Sequence, residues 1–310
     1  MKLGIVVVYL VSEENEKLLD LHLNQIERYT TVPYTVYGSI NRLLTKFRQK
    51  LESNPKVKIC ECPATHLRDV EEHSFYLEHL VRNAIEDSSS HIVTLHVDSF
   101  PICSGWAEEL AGKLSESRVF AAPSYGAYTA CLFFKRDFYL KYRPSFFLSE
   151  AERASPKFKQ FCEEFGPLVH SGIGYLFRAY REGLSWHPLT ESNKGNARYV
   201  FFSSIYDDCI FHLGPAVKSE NESFKHTNLM RMRKWVYRHF WVPIVRVIHH
   251  TRTQQRVLGK KRFIIIRRPL SWCWRHIGRP NFFVPIFRDA RQQLLEDPES
   301  YLNYLRTGNR

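Results

Sequence analysis

Long apolar runs are absent from this sequence of 310 residues. No stretch approaches the roughly 18 uncharged apolar residues that a membrane-spanning helix requires. Glycine and proline are also few, at 14 and 15 residues, which excludes collagen-like and low-complexity chains. With 44% hydrophobic and 25% charged residues, the composition predicts a folded globular protein.

Cysteines are scarce and scattered. The chain has 7, an odd number without the spacing of a disulfide framework. Cys60 and Cys62 form the close pair, but no second pair of Cys or His completes four zinc ligands, so we interpret them as buried thiols. The β-branched run at the N-terminus has no small-residue cleavage site and predicts a strand instead of a signal peptide. These absences predict a cytoplasmic protein.

Acidic residues are missing from one long segment. The formal net charge is +12, yet residues 223–288 contain no Asp or Glu and carry 16 Lys and Arg, so the rest of the chain is mildly acidic. We therefore predict two parts, a body at 1–220 and a basic extension at 221–310, with the extension facing a polyanion.

The body alternates between strand-like and helix-like patterns. Residues 3–10, 34–40, 57–62 and 91–97 are short, β-branched apolar runs, and 14–29, 42–51 and 72–86 have apolar residues at helical spacing. This order predicts an α/β fold with a doubly wound, mostly parallel sheet. Such sheets bind ligands at the carboxyl ends of their strands, and Asp98 lies at the end of the fourth run.

The sequence around Asp98 resembles a segment found in a known protein family. His96-Val97-Asp98, followed by Pro101 and by Gly105-Trp106, is similar to the Asp-x-Asp segment of nucleotide-sugar glycosyltransferases of the GT-A fold, of the family-two-like kind, with His in the first acidic position. The resemblance extends from about residue 4 to residue 214. Three later segments also match it in order and spacing, namely CLFFKRDFY at 131–139, GIGYLFRAYREGLSWHPL at 172–189 and CIFHLG at 209–214.

This resemblance implies a metal-dependent hexosyl transfer from a nucleotide-sugar donor to a glycan or lipid-linked acceptor, in cell-surface polysaccharide synthesis. It implies Asp98, His96 and His212 as ligands of Mn²⁺ or Mg²⁺. The same resemblance implies a donor site that includes Tyr9, Asn41 and His73 together with His96 and Asp98. Manganese accepts imidazole ligands better than magnesium does.

The chain departs from the family where the catalytic base is expected. Inverting members hold an acid just before the arginine-bearing helix, whereas this chain has His170-Ser171-Gly172 there. His170 could take the acceptor proton near neutral pH, a task worth roughly two to four powers of ten in rate. The catalytic residues we predict are His170 and Asp98.

Most of these candidates also have a simpler interpretation. Asp98 and Asn41 could be turn residues. His96 could be a hydrogen-bonded histidine at the sheet edge, and His212 a structural one. His73 could belong to a solvated helix start, and the whole protein could be a non-catalytic relative that binds a glycan or nucleotide.

The basic extension interleaves cations with aromatic residues. Such a pattern is typical of an interfacial helix on anionic lipid, so we predict peripheral binding to the inner face of a membrane. Nucleic acid is the competing partner, but no zinc finger, RNP motif or helix-turn-helix pattern supports it. A third interpretation has the aromatic residues packing on the body as a helical cap, with the arginines facing outward.

Overall fold

The first strand is built from residues that are apolar on both faces. In the computed structural model, which describes residues 1–11, 13–41, 43–123, 128–165, 171–194, 203–213 and 283–308, every residue of Leu3–Val8 is buried. Leu3, Ile5 and Val7 pack into one apolar core, and Val6 and Val8 pack into another. A strand buried on both sides requires helices on both faces of its sheet.

The strands of the described residues are β1 (Leu3–Val8), β2 (Tyr34–Ser39), β3 (Val57–Cys60), β4 (His91–Leu95), β5 (Ser99–Pro101), β6 (Arg118–Pro123), β7 (Cys131–Lys135), β8 (Ser185–Leu189), β9 (Ser204–Tyr206) and β10 (Ile210–His212). The helices are α1 (Glu16–Tyr29), α2 (Thr45–Glu52), α3 (Asp69–Glu86), α4 (Trp106–Gly112), α5 (Arg136–Tyr142), α6 (Glu150–Ala154), α7 (Pro156–Phe165), α8 (Ile173–Arg181), α9 (Phe283–Glu296) and α10 (Pro298–Thr307).

Among the described residues, seven strands form one sheet in the order β3-β2-β1-β4-β7-β6-β8. β7 runs antiparallel to β4 and β6, and the other pairings within this sheet are parallel. Helix α3 contributes apolar side chains to one core, and α1 and α4 contribute to the other. The predicted α/β architecture with a mostly parallel sheet is confirmed.

Several element ends differ from the predicted ones. The fourth strand ends at Leu95 instead of continuing to Val97, because the backbone turns there and the Ser99 N–H donates to the His96 carbonyl at 2.9 Å. Asp98 therefore lies in a tight turn just past the strand. The predicted helix at 42–51 begins at Thr45, and the third strand ends at Cys60.

A second, small sheet was not predicted. Its order is β5-β10-β9, with Ser99 opposite His212 in the antiparallel pairing of β5 and β10. Three-residue strands are too short for a periodic pattern to show in the sequence. This pairing fixes the end of β10 beside the turn that carries Asp98.

The chain divides into two compact units, Met1–Ser192 with Ser204–Val217 and Asn193–Ser203 with Lys218–Arg310. In the second unit, α10 is capped by Asp297, whose side chain accepts from the Ser300 N–H at 3.0 Å. The Tyr301 and Ser203 hydroxyls lie 2.7 Å apart. The described C-terminal residues are helical, as predicted.

The predicted boundary at 220/221 and nearly all of the acid-free segment lie outside the described residues. Within the described ranges, no helix has both the length and the apolar character needed to cross a membrane.

Candidate metal centre

Three side chains with ligand atoms meet at the carboxyl end of β4. His96 Nδ1 lies 3.9 Å and His212 Nε2 lies 3.7 Å from Asp98 Oδ1. The ligand atoms of this His-Asp-His cluster all lie within 4.8 Å of one another. The structure thus brings together the three residues that the sequence suggested as metal ligands.

Hydrogen bonds to backbone carbonyl groups hold the Asp98 turn in place. The Leu213 N–H donates to the Asp98 carbonyl at 2.9 Å, and the Ser99 hydroxyl donates to the Ala130 carbonyl at 2.6 Å. On the other side of the turn, His22 Nδ1 of α1 donates to the Ser99 carbonyl at 3.1 Å. Three separate segments of the chain therefore hold the turn that carries Asp98, and Asp98 is only 2% exposed.

Burial keeps the two imidazoles of the cluster neutral. It lowers the pKa of His212 to about 4. Burial, and then the neighbouring His73 and His212, lower the pKa of His96 well below the ordinary histidine value. A neutral imidazole offers a lone pair to a metal without first losing a proton. The side chain of His96 is 23% exposed, whereas those of Asp98 and His212 are 2% and 7% exposed.

The donor set fits a divalent ion. One carboxylate and two neutral imidazoles form a mixed oxygen and nitrogen set, which suits manganese and other transition metals better than magnesium. Burial and the charge of Asp98 also raise the pKa of Tyr128, whose ring lies 5.8 Å from that of His96 and 5.6 Å from that of His212. A cation at the cluster would offset the negative charge of the Asp98 carboxylate.

His73 reaches the cluster from α3. Its ring meets the His96 ring edge-on at 5.3 Å between centroids, and burial lowers its pKa to about 4. The imidazole packs into the site and is not a solvated side chain at a helix start. Its predicted part in donor binding stays a prediction.

Two other residues that the sequence predicts to bind the sugar donor lie at the ends of neighbouring strands. Tyr9 follows β1, is 1% exposed, and packs its ring against Gly38 and edge-on against His22. Asn41 follows β2, is exposed, and donates from Nδ2 to the Cys62 carbonyl at 2.7 Å. The buried ring of Tyr9 offers almost no free surface, and donor binding by both residues stays a prediction.

His170, the predicted base, lies outside the described residues. The residue that follows it, Ser171, is described and is 8% exposed.

The sequence did not predict two hydroxyl groups beside the cluster, one of which contacts His96. Thr129 Oγ1 lies 3.0 Å from His96 Nε2, and Ser171 Oγ lies 2.9 Å from Thr129 Oγ1. His73 Nδ1 lies 3.2 Å from Ser171 Oγ. We call Thr129 and Ser171, which join the two histidines, the hydroxyl chain. In the sequence, Ser171 could have been suspected because it directly follows the predicted base His170, whereas no feature of the sequence marks Thr129.

Comparisons with known proteins gave matches among solved structures alone. No family model matches the sequence, and no curated protein matches it. The apo form of mouse xyloside xylosyltransferase 1 is 11% identical, with a TM-score of 0.38, over 61% of this chain and 85% of that chain. Mannosyltransferase PcManGT from Pyrobaculum calidifontis, in complex with GDP-Man and Mn²⁺, is 10% identical, with a TM-score of 0.40, over 98% of this chain and 84% of that chain.

The glycosyltransferase GlyE of Streptococcus pneumoniae TIGR4 is 12% identical, with a TM-score of 0.34, over 59% of this chain and 44% of that chain. This chain therefore spans less than half the length of GlyE.

Proposed function

We propose that this chain is a GT-A-type glycosyltransferase that moves a sugar from a nucleoside-diphosphate donor to a glycan or lipid-linked acceptor, as in the synthesis of cell-surface polysaccharide. The observation that carries the proposal is the His-Asp-His cluster at the carboxyl end of β4. Open parallel sheets bind their ligands at this edge. The resemblance of His96-Val97-Asp98 to the Asp-x-Asp segment of that fold supports the same assignment.

The chemistry of the transfer explains why a charged cluster is needed. A diphosphate leaving group gains negative charge as the glycosidic bond breaks, and a divalent ion bound at the cluster would neutralise that charge. Asp98 would supply the carboxylate ligand, and His96 and His212 would supply neutral nitrogen ligands. Because two of the three donors are imidazoles, we propose Mn²⁺ in preference to Mg²⁺.

The acceptor hydroxyl must also lose a proton, and we propose His170 for this step. Support comes from its sequence neighbour Ser171, which is hydrogen-bonded into the wall of the cluster through Thr129.

Binding of nucleotide and metal tests the proposal directly. We expect Mn²⁺ with the correct nucleoside diphosphate to stabilise the protein by about 2.7 kcal/mol at a hundred times the dissociation constant, measured as a thermal shift over a panel of nucleotides. Asp98→Asn should lose most of this shift and the Mn²⁺-dependent release of nucleotide from sugar donors. Asp208→Asn is the matched control, since Asp208 is an exposed carboxylate in a left-handed turn, a conformation that Asn also tolerates.

Two outcomes would contradict the proposal. One is the absence of any Mn²⁺-dependent shift with every nucleoside diphosphate in the panel. The other is a shift in Asp98→Asn equal to that of the wild type. Binding without any release of nucleotide would indicate the non-catalytic alternative.

For the basic extension, we propose peripheral attachment to an anionic membrane surface. Support comes from its sequence, in which Arg231, Arg233 and Lys234 stand beside Trp235. Near such a surface, each cation contributes about 1 kcal/mol. The full chain should sediment with anionic vesicles and not with neutral ones, and changing these three cations to Gln should weaken the sedimentation. Equal sedimentation with neutral vesicles would contradict the assignment, and salt-dependent binding to nucleic acid alone would favour the competing partner.

A further inference from the structure

His96 has two ring nitrogens with different neighbours. Nδ1 faces Asp98 Oδ1 at 3.9 Å, inside the His-Asp-His cluster. Nε2 faces away from the cluster and lies 3.0 Å from Thr129 Oγ1. In a neutral imidazole one nitrogen carries the proton and the other carries a lone pair, and the hydrogen bond of one nitrogen sets the state of the other. The partner of Nε2 therefore decides whether Nδ1 can bind a metal.

Thr129 is well placed to decide this. It is 1% exposed, so solvent offers its hydroxyl little alternative. Its hydroxyl oxygen lies between His96 Nε2 and Ser171 Oγ, at 3.0 and 2.9 Å. When the Thr129 hydroxyl donates to Ser171, its oxygen accepts from His96 Nε2–H, and Nδ1 keeps its lone pair.

Ser171 passes the same constraint to His73. With its oxygen accepting from Thr129, the Ser171 hydroxyl donates to His73 Nδ1 at 3.2 Å. His73 closes the chain as an acceptor, which a neutral imidazole can do. All three hydrogen bonds are then made at once, and each hydroxyl both donates and accepts.

We propose that Thr129 and Ser171 are positioning residues, which orient His96 and hold its proton on Nε2 so that Nδ1 is the metal ligand. This inference rests on the metal site of the proposed function and adds to it two residues that contact a metal ligand or its neighbour without binding the metal themselves. If the hydrogen bonds ran in the opposite direction, with the Thr129 hydroxyl donating to His96 Nε2, the proton of His96 would lie on Nδ1, and Nδ1 could not bind the metal. An outer hydrogen-bond partner of a ligating histidine contributes roughly 10- to 100-fold to metal affinity.

The test measures Mn²⁺ affinity of the full chain by electron paramagnetic resonance, with no nucleotide present. Thr129→Val removes the hydroxyl at nearly constant volume and should weaken Mn²⁺ binding by roughly 10- to 100-fold. Thr129→Ser restores the hydroxyl and should return the affinity to near that of the wild type. Ser171→Ala should weaken binding toward the lower end of the same range.

Thr30→Val is the matched control. Thr30 is also buried, and its hydroxyl accepts from Trp106 Nε1–H at 3.3 Å, a contact that involves no residue of the cluster. The control should lose some thermal stability and keep wild-type Mn²⁺ affinity. A general loosening of the fold would instead weaken metal binding in Thr129→Val and Thr30→Val alike.

A second readout follows the proton itself. With Zn²⁺ as a diamagnetic probe and ¹⁵N-labelled histidine, the His96 spectrum should show a protonated Nε2 and a metal-bound Nδ1, with His96→Gln used to assign the signals. Thr129→Val should lose this fixed pattern.

Unchanged Mn²⁺ affinity in Thr129→Val, equal weakening in Thr30→Val, or a proton on Nδ1 in the Zn²⁺-bound protein would each overturn the inference. If Thr129→Val does not fold, Ser171→Ala decides, and unchanged affinity there overturns it too. Metal binding that depends on Thr129 without nucleotide binding would leave this inference standing while the proposed function fails. Metal-dependent nucleotide release that is indifferent to Thr129 would do the reverse.

Discussion

Acidification should destabilise this protein through His22, the buried histidine of α1 that braces the Asp98 turn. His22 is 0% exposed, and its Nδ1 donates to the Ser99 carbonyl. Its Nε2, which would take up a proton in acid, is buried without a hydrogen-bond partner among the described residues. Burial therefore lowers the pKa of His22 from 6.5 to about 4, although the bond to Ser99 acts in the opposite direction.

The sign follows from the direction of this shift. Between pH 6.5 and pH 4 the unfolded chain binds the proton and the folded protein does not, so the stabilisation is complete above pH 6.5 and is lost as the pH falls toward 4. The full shift corresponds to about 3 kcal/mol of unfolding free energy, and about 2 kcal/mol of this is lost by pH 5.

Urea unfolding of the full chain at pH 7.5 and pH 5.0 measures this loss. His22→Asn keeps a donor near the position of Nδ1 but cannot take up the proton. The variant should be less stable at pH 7.5, because it packs less well, and should lose about 2 kcal/mol less than the wild type between the two pH values. Subtraction removes the effects of the other buried histidines, which both proteins share.

His66→Asn, at an exposed histidine, is the control and should lose as much stability in acid as the wild type. If His22→Asn also loses as much as the wild type, within roughly 0.5 kcal/mol, the reasoning from burial is wrong. The same outcome would also show that protonation of His22 does not weaken the hydrogen bonding that supports the Asp98 turn.

Two further predictions concern the packing around the sheet. Gly174→Ala should destabilise the protein by more than about 3 kcal/mol, because the added Cβ would lie 1.9 Å from the Ser145 carbonyl oxygen. In the control Gly112→Ala the added Cβ meets no atom within 4 Å, so this variant should be neutral or stabilising in the same urea assay. Equal losses of stability in the two variants would contradict this prediction. Ser149→Ala removes the hydroxyl that accepts from the Glu152 N–H at 3.2 Å in the capping box of α6. This variant should lose about 1 kcal/mol of unfolding free energy, and an unchanged urea midpoint would refute the prediction.

The order of strands and helices could be derived from local patterns. An unbroken apolar run such as Leu3–Val8 indicates a strand buried on both faces, because the side chains that point to either side of the sheet must all be apolar. A carboxylate directly after such a run is expected at the carboxyl edge of a parallel sheet, so the sequence predicts the position of Asp98. The ends of elements were less accurate, since turns such as the one after Leu95 depend on single hydrogen bonds.

The full cluster required the tertiary structure. Resemblance suggested His212, but only the pairing of β10 with β5 brings its imidazole to Asp98. Thr129 and Ser171 lie 33 and 98 residues from the histidines they contact, and no local pattern marks them. Sequence periodicity reports which side of an element is buried, whereas hydrogen bonds between distant side chains depend on strand register and loop path, which are fixed only when the whole unit packs.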